Sequence, residues 1–208
     1  HSFRAMISFF ERDWEAAEQG HLRAIELGPN IPEVHGQWAA QLLIMQRFDE
    51  CLVEIRLTQK LDPLSPIWNA WTSSWMILAG HHDEGLQGLE AVAAMHPYHW
   101  MPHNQLSFHH GLDGRMDEAR AEAEEAVELS GRHSSAVTQL ACVCFLQGEA
   151  GRGAEMLEIL RKRARATYVP PTFFAWIHLA RGEADEAFEQ LERGVRGLDP
   201  WFTLHRFM

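Results

Sequence analysis

Residues 136–148 read AVTQLACVCFLQG and residues 186–195 read EAFEQLERGV. In both stretches apolar positions recur at steps of three and four, the period of a helix with one buried face. Alternation at steps of two, the mark of a half-buried strand, is absent from the chain. The pattern predicts helices throughout, about twelve of them at roughly 12–14 residues each.

The helices are punctuated at a fixed interval. GHHDEGL, GRMDEAR, GEAGRGA and GEADEAF begin at Gly80, Gly114, Gly148 and Gly182, 34 residues apart each time. Two further steps back reach Gln46 in QRFDECL and Arg12 in RDWEAAE, so the period runs through six copies. Five residues after each mark stands a small side chain: Ala17, Cys51, Gly85, Ala119, Gly153 and Ala187. Seven residues before each mark stands another: Ala5, Ala39, Ser73, Ser107, Ala141 and Ala175. Two such columns flanking a turn let two helices approach closely. The glycines fall where a left-handed residue closes a helix cheaply. The acids that follow open the next helix at its positive end, where a capping role is expected. Pro29, Pro63 and Pro97 fall where each second helix ends, Gly131 takes the next such place, and Pro200 comes one residue late.

ARGEADEAFEQLERGVRGLDP and DGRMDEARAEAEEAVELSG resemble the tetratricopeptide repeat, a 34-residue helix–turn–helix with an early aromatic, Leu and small residue, then Ala, a large residue, Ala and Pro. The resemblance covers nearly all of the 208 residues. It implies an all-α fold, an α-solenoid of antiparallel helix hairpins, about six repeats wound into a right-handed superhelix as one repeat domain over 1–208. The early aromatic place holds His35, His103 and Val137 in the second, fourth and fifth repeats. SPIWNAWTSSW in the third reads one residue out of register, and RKRARATYV ends the fifth with no proline in place. The first repeat has a truncated first helix and a seventh begins near residue 200, so the chain reads as a segment of a longer protein. The stretch from Tyr168 to Phe202 is similar to a segment of bacterial multidomain regulatory proteins, which carry these repeats behind a winged-helix, nucleotide cyclase or kinase module.

Composition narrows the function classes. A formal net charge of -11 disfavours phosphate backbones, so no nucleic acid is expected as a partner. No run of about 18 apolar residues occurs and no membrane partner is expected. The start, HSFRAMISFFERDW, lacks the pattern of a signal peptide. Cys51, Cys142 and Cys144 form no disulfide framework, which points to reduced thiols in the cytoplasm. Cys142 and Cys144 read as core or groove residues rather than nucleophiles. Phosphate-binding loops and nucleophile elbows are absent, so no enzyme and no cofactor is expected. RKRAR, from Arg161 to Arg165, reads as a basic helix end facing a negative dipole.

The 13 histidines invite a metal, above all the five in HPYHWMPHNQLSFHHG, from His96 to Gly111. A zinc site needs three or four ligands meeting about 2 Å from the ion. His103 and His110 lie roughly 10 Å apart along a helix. Pro102 suits a helix start and would leave His99 outside it. His103 and His35 fall at the early aromatic place, and His110 and His178 at the later one. They read as half-buried rings with hydrogen-bond partners, and no metal is expected.

The resemblance also implies a binding face. Four places of each first helix line the concave side: Ile67, Ala70, Ser74 and Ile77; Met101, Asn104, Phe108 and Gly111; Ser135, Thr138, Cys142 and Phe145; Val169, Thr172, Trp176 and Leu179. None is Lys or Arg, which rules out a clamp for a terminal carboxylate, and an extended or helical apolar segment fits better. Phe108, Phe145 and Trp176 equally fit packing against neighbouring helices. The expectation is a non-enzymatic scaffold that binds a peptide or protein. The alternatives are a regulatory segment controlling a fused enzyme or DNA-binding module, and a histidine-based metal protein. FRAMISFF and WFTLHRFM leave apolar ends, and exposing Phe9, Phe10, Trp201 and Phe202 would forfeit about 1.5–3 kcal/mol each. The ends are therefore expected to self-associate, or the final segment to fold back onto the sixth hairpin.

Overall fold

A computed structural model describes residues 1–199 and Trp201. Among them twelve α-helices follow one another: α1 (Ser2–Phe10), α2 (Trp14–Leu27), α3 (Pro32–Ile44), α4 (Phe48–Leu61), α5 (Pro66–Leu78), α6 (His82–Met95), α7 (Trp100–Leu112), α8 (Met116–Leu129), α9 (Ser134–Leu146), α10 (Ala150–Ala164), α11 (Pro171–Ala180) and α12 (Ala184–Arg196). The described residues divide into two compact units, one from His1 to Met95 and one from His96 onward. In the first, α1 pairs with α2, α3 with α4 and α5 with α6, while α3 also lies against α1 and α5. In the second, α7 pairs with α8, α9 with α10 and α11 with α12, while α9 lies against α7 and α11. Each unit is thus a stack of three antiparallel hairpins, the α-solenoid class, in which first helices form one layer and second helices another.

The 34-residue period is a period of backbone geometry. Arg12, Gln46, Gly80, Gly114, Gly148 and Gly182 all have positive φ. After each, the next N–H bonds a carbonyl five residues back: Asp13 to Ser8, Arg47 to Leu42, His81 to Met76, Arg115 to His110, Glu149 to Cys144 and Glu183 to His178, all at 2.8–2.9 Å. This is the Schellman closure of a helix. Glycine adopts it without penalty in four repeats; Arg12 and Gln46 adopt it with a side chain in place.

The two columns of small residues meet across each hairpin. All twelve are buried. Ser107 Oγ donates to the carbonyl of Ala119 at 2.7 Å, and Cys51 Sγ to that of Ala39 at 3.3 Å. A Cβ on Gly85 would come within 2.5 Å of the Ser73 carbonyl oxygen. Larger side chains fill the space on either side. In the first unit Trp38, Leu42, Leu43, Ile55, Trp75 and Met76 cluster; in the second Val137, Leu157, Leu160, Phe173 and Ile177 do.

Four details differ from the sequence expectation. The third repeat is not out of register: α5 has the bounds of α3, α7 and α9 relative to its turn, and Ser73 keeps its place opposite Gly85. Trp68 and Trp75, next to the expected lining places, only imitate a shift. α7 begins at Trp100 rather than at Pro102. The paired acids occupy the first turn of α4, α6, α8 and α12, while Arg47, Arg115 and Glu183 hold cap positions without a side-chain bond. The acids therefore act through charge at the helix end rather than as caps. Finally, Phe9 is buried and Phe10 half-buried in a cluster with Trp14, Ala17 and Ile44. At the other end Trp201 packs on Phe173 with ring centroids 5.4 Å apart, so this part of the final segment lies back on α11. Phe202 lies outside the described residues.

Candidate functional site

Of the residues expected to line a groove, Ile67, Ala70, Ser74 and Ile77 lie on α5 in the first unit and the others on α7, α9 and α11 in the second, except Val169, which precedes α11. Their exposure separates them. Ala70, Thr138 and Thr172 have no accessible surface, and Asn104 is buried. Met101, Phe108, Cys142, Phe145 and Trp176 are half-buried, and Ile67 is exposed. Thr138 Oγ1 donates to the Ser134 carbonyl at 2.8 Å, an internal helix bond that leaves its methyl for packing. Asn104 Nδ2 donates to Ser135 Oγ at 3.3 Å and ties α7 to α9, so adjacent rows of the second unit are in contact. Its Oδ1 is buried without a partner. Phe145 lies under the guanidinium of Arg181, 5.3 Å from its centroid, beside a cleft of about 560 Å³ also lined by Leu157, Arg161 and Glu183.

The histidines take places set by the same register. His99 and His133, 34 apart, are the N-caps of α7 and α9, where Ser65 caps α5. Met101 N–H donates to His99 Nδ1 at 3.4 Å, and Ser135 N–H to His133 Nδ1 at 3.3 Å. A nitrogen that accepts in this way carries no proton, and burial lowers the pKa of both rings. His35 and His103, two repeats apart, each reach a glutamate on the second helix: His35 Nδ1 lies 2.6 Å from Glu54 Oε2 and His103 Nδ1 2.7 Å from Glu122 Oε2. The bond to Glu122 raises the pKa of His103. His178 Nδ1 lies 2.7 Å from Glu183 Oε2. The matching pair in the fourth repeat is His110 and Arg115, and burial followed by that arginine's charge lowers the pKa of His110. Among the described residues no three His, Cys, Asp or Glu side chains converge on one point.

One histidine stands apart. His21 on α2 is buried, tilted against Trp38 at 5.8 Å, and neither ring nitrogen has a partner. Burial lowers its pKa to about 4. The thiols are equally removed from chemistry, since burial pushes Cys51 and Cys142 up to about 12 and Cys144 upward as well. A thiol protonated at neutral pH is a poor nucleophile. The basic run ends α10, with Arg161, Lys162 and Arg163 in its last turn.

The aromatic group of the first unit leaves little mark in the sequence. Met6, Phe10, Trp68 and Trp75 share one cavity wall. The available signal was two tryptophans seven residues apart on a first helix, but which neighbour they face depends on how hairpins stack.

No protein-family model matches the chain, and no curated protein does. Solved structures do match in fold. The chain superimposes on PilW, a type IV pilus biogenesis factor, with TM-score 0.67 and 15% identity, covering 94% of this chain and 90% of that one. It superimposes on TTC0263, a thermophilic TPR protein of Thermus thermophilus, with TM-score 0.62 and 20% identity over 85% of this chain and 97% of that one. For a chain of the APC/C hetero-tetramer Cut9–Hcn1 the TM-score is 0.68 at 14% identity, with 86% of this chain covered but only 36% of that one, so this chain spans about a third of its length. The fold is that of a tetratricopeptide repeat array.

Proposed function

We propose that the protein is a non-enzymatic interaction module whose first-helix face takes an apolar segment of a partner protein. The observation that carries this reading is the half-burial of Met101, Phe108, Cys142 and Trp176 on α7, α9 and α11. Such side chains are neither sealed in the core nor surrounded by water, and a further apolar segment would complete their burial. The absence of Lys and Arg from these places fits an apolar ligand rather than a terminal carboxylate. Of the proteins similar in fold, Cut9–Hcn1 is by its name a hetero-tetramer of the APC/C and PilW a pilus biogenesis factor. Three free thiols fit a reducing compartment, and no helix among the described residues is long and apolar enough to cross a membrane.

Once a pull-down with the full-length chain identifies the partner, Trp176→Ala and Asn104→Ala are each expected to weaken it, Trp176→Ala by about thirtyfold or more as an aromatic anchor does. Helicity stays unchanged. Unaltered affinity in both variants would move the binding site off this face.

A further inference from the structure

Inside the units a second helix lies against the next first helix, α2 on α3, α4 on α5 and α8 on α9. α10 and α11 keep their backbones further apart. Their connection is also longer, residues 165–170 against 130–133 between α8 and α9. The cleft of about 560 Å³ beside Phe145 opens there. Ala154, Leu157 and Arg161 turn one face of α10 into it, and Phe145, Arg181 and Glu183 form much of the remaining wall. Its volume falls within the range of about 300–1,000 Å³ typical of ligand sites, which suits more than one side chain of a peptide.

Charge sets this cleft apart. Its one carboxylate is already engaged: Glu183 Oε1 meets Arg181 and Oε2 meets His178, both at 2.7 Å. Among the described residues Arg161 meets no acid, and neither do Lys162 and Arg165 beyond it. Four of the five residues from Arg161 to Arg165 are basic, in a chain of net charge -11. The negative end of a helix is worth only about half a charge, so one cation answers it. Arg161 and Arg165, one turn apart, repel each other. Arg163 donates to Ser134 Oγ at 2.9 Å and ties α10 to α9. The other three cations are exposed. They exceed what the helix end calls for, and they stand beside a cleft floored by Leu157 and Phe145.

We propose that the cleft and the end of α10 dock an acidic segment of a partner protein. An apolar side chain of that segment lies on Ala154 and Leu157, and the carboxylates next to it reach Arg161, Lys162 and Arg165. A nucleic acid carries its charge over a surface far longer than one helix turn and would meet the acidic remainder of this chain. Neither Asn104 nor Trp176 lines the cleft, so this site and the first-helix face stand or fall separately.

The test titrates acetyl-Phe-Glu-Glu-Glu-amide into the whole chain while the backbone amide resonances of Ala154, Leu157 and Arg161 are followed. The glutamine counterpart, the counterpart with alanine for phenylalanine, and a thymidine oligonucleotide serve as comparisons. The acidic phenylalanine peptide is expected to shift all three resonances, and each comparison to bind at least about fivefold more weakly. An exposed ion pair is worth up to about fivefold, so Arg161→Gln, Lys162→Gln and Arg165→Gln combined should weaken the peptide by about tenfold or more. Ala154→Phe closes the cleft and should weaken it by about tenfold. This variant is expected to fold, because Phe188 stands exposed at the same place of the next repeat. Absence of binding, or unchanged affinity in the combined variant or in Ala154→Phe, would overturn the site. Equal binding of the alanine counterpart or of the oligonucleotide would show a general anion surface and would overturn it too.

Discussion

Ser107 Oγ and the carbonyl oxygen of Ala119 are 2.7 Å apart, and both residues are wholly buried where α7 crosses α8. Their distance is possible because neither position carries a side chain beyond one heavy atom from Cβ. Ala119→Leu would push three more carbons into that contact. We expect a loss of about 1–3 kcal/mol from overpacking, read as a lower denaturant midpoint. An unchanged midpoint would mean that the helices do not meet at this column.

The left-handed turn position gives a paired prediction. Gly114 has φ +75° and open space around the place a Cβ would take, so Gly114→Ala meets no clash and is penalised by backbone conformation alone. A loss of about 1–2 kcal/mol is expected. Gln46 sits in the same conformation at φ 59° with its side chain exposed, so Gln46→Gly should recover stability, by roughly 0.5–1 kcal/mol after the entropy that glycine adds to the unfolded chain. Thermal melts of both variants check the opposite signs.

Acid should unfold the protein through its buried rings. His21 falls from 6.5 to about 4, with burial as the cause. Its folded pKa is below its unfolded one, so the unfolded chain binds more protons between those values and stability drops as pH falls from 6.5 to about 4. For this group the loss is about 3 kcal/mol. His99, His110 and His133 are lowered too and act in the same direction. His103 is raised by Glu122 and acts oppositely: its contribution is full below its unfolded value and is lost as pH rises through the folded one. Denaturant midpoints across pH 4–7 should therefore fall towards acid, and His21→Phe should flatten that slope. An unaltered slope in His21→Phe would contradict the burial of this ring.

The repeat was legible because its demands are local. A turn that needs positive φ favours glycine, and a close helix crossing needs small residues, so both leave marks at a fixed spacing. Arg12 and Gln46 break the residue rule, yet counting alone put them in the right place. His99 and His133 as caps are legible only in part, because Pro102 suggests a later start to α7 and leaves the His99 ring outside the helix without a role. The cavity beside Trp68 was not legible at all. Its walls come from α1, α2, α3 and α5, and no spacing along one helix tells which side chains of four helices share a void.

Asp199 holds the end of the described chain in place. It is buried, Oδ2 accepts from Thr172 N–H at 3.0 Å and Oδ1 from Trp201 N–H at 2.9 Å. The first bond satisfies a free N–H in the opening turn of α11, and the second sets Trp201 against Phe173. Asp199→Ala would leave Thr172 N–H buried without a partner and untie the indole, at a cost of about 1–3 kcal/mol. Asp199→Asn keeps one carbonyl acceptor and should cost less. The observable is Trp201, compared with a Trp201→Phe control: in Asp199→Ala its emission should move to longer wavelength and become accessible to iodide. If Trp201 stays shielded in Asp199→Ala, apolar contact with Phe173 alone holds the segment, and the carboxylate serves only the end of α11.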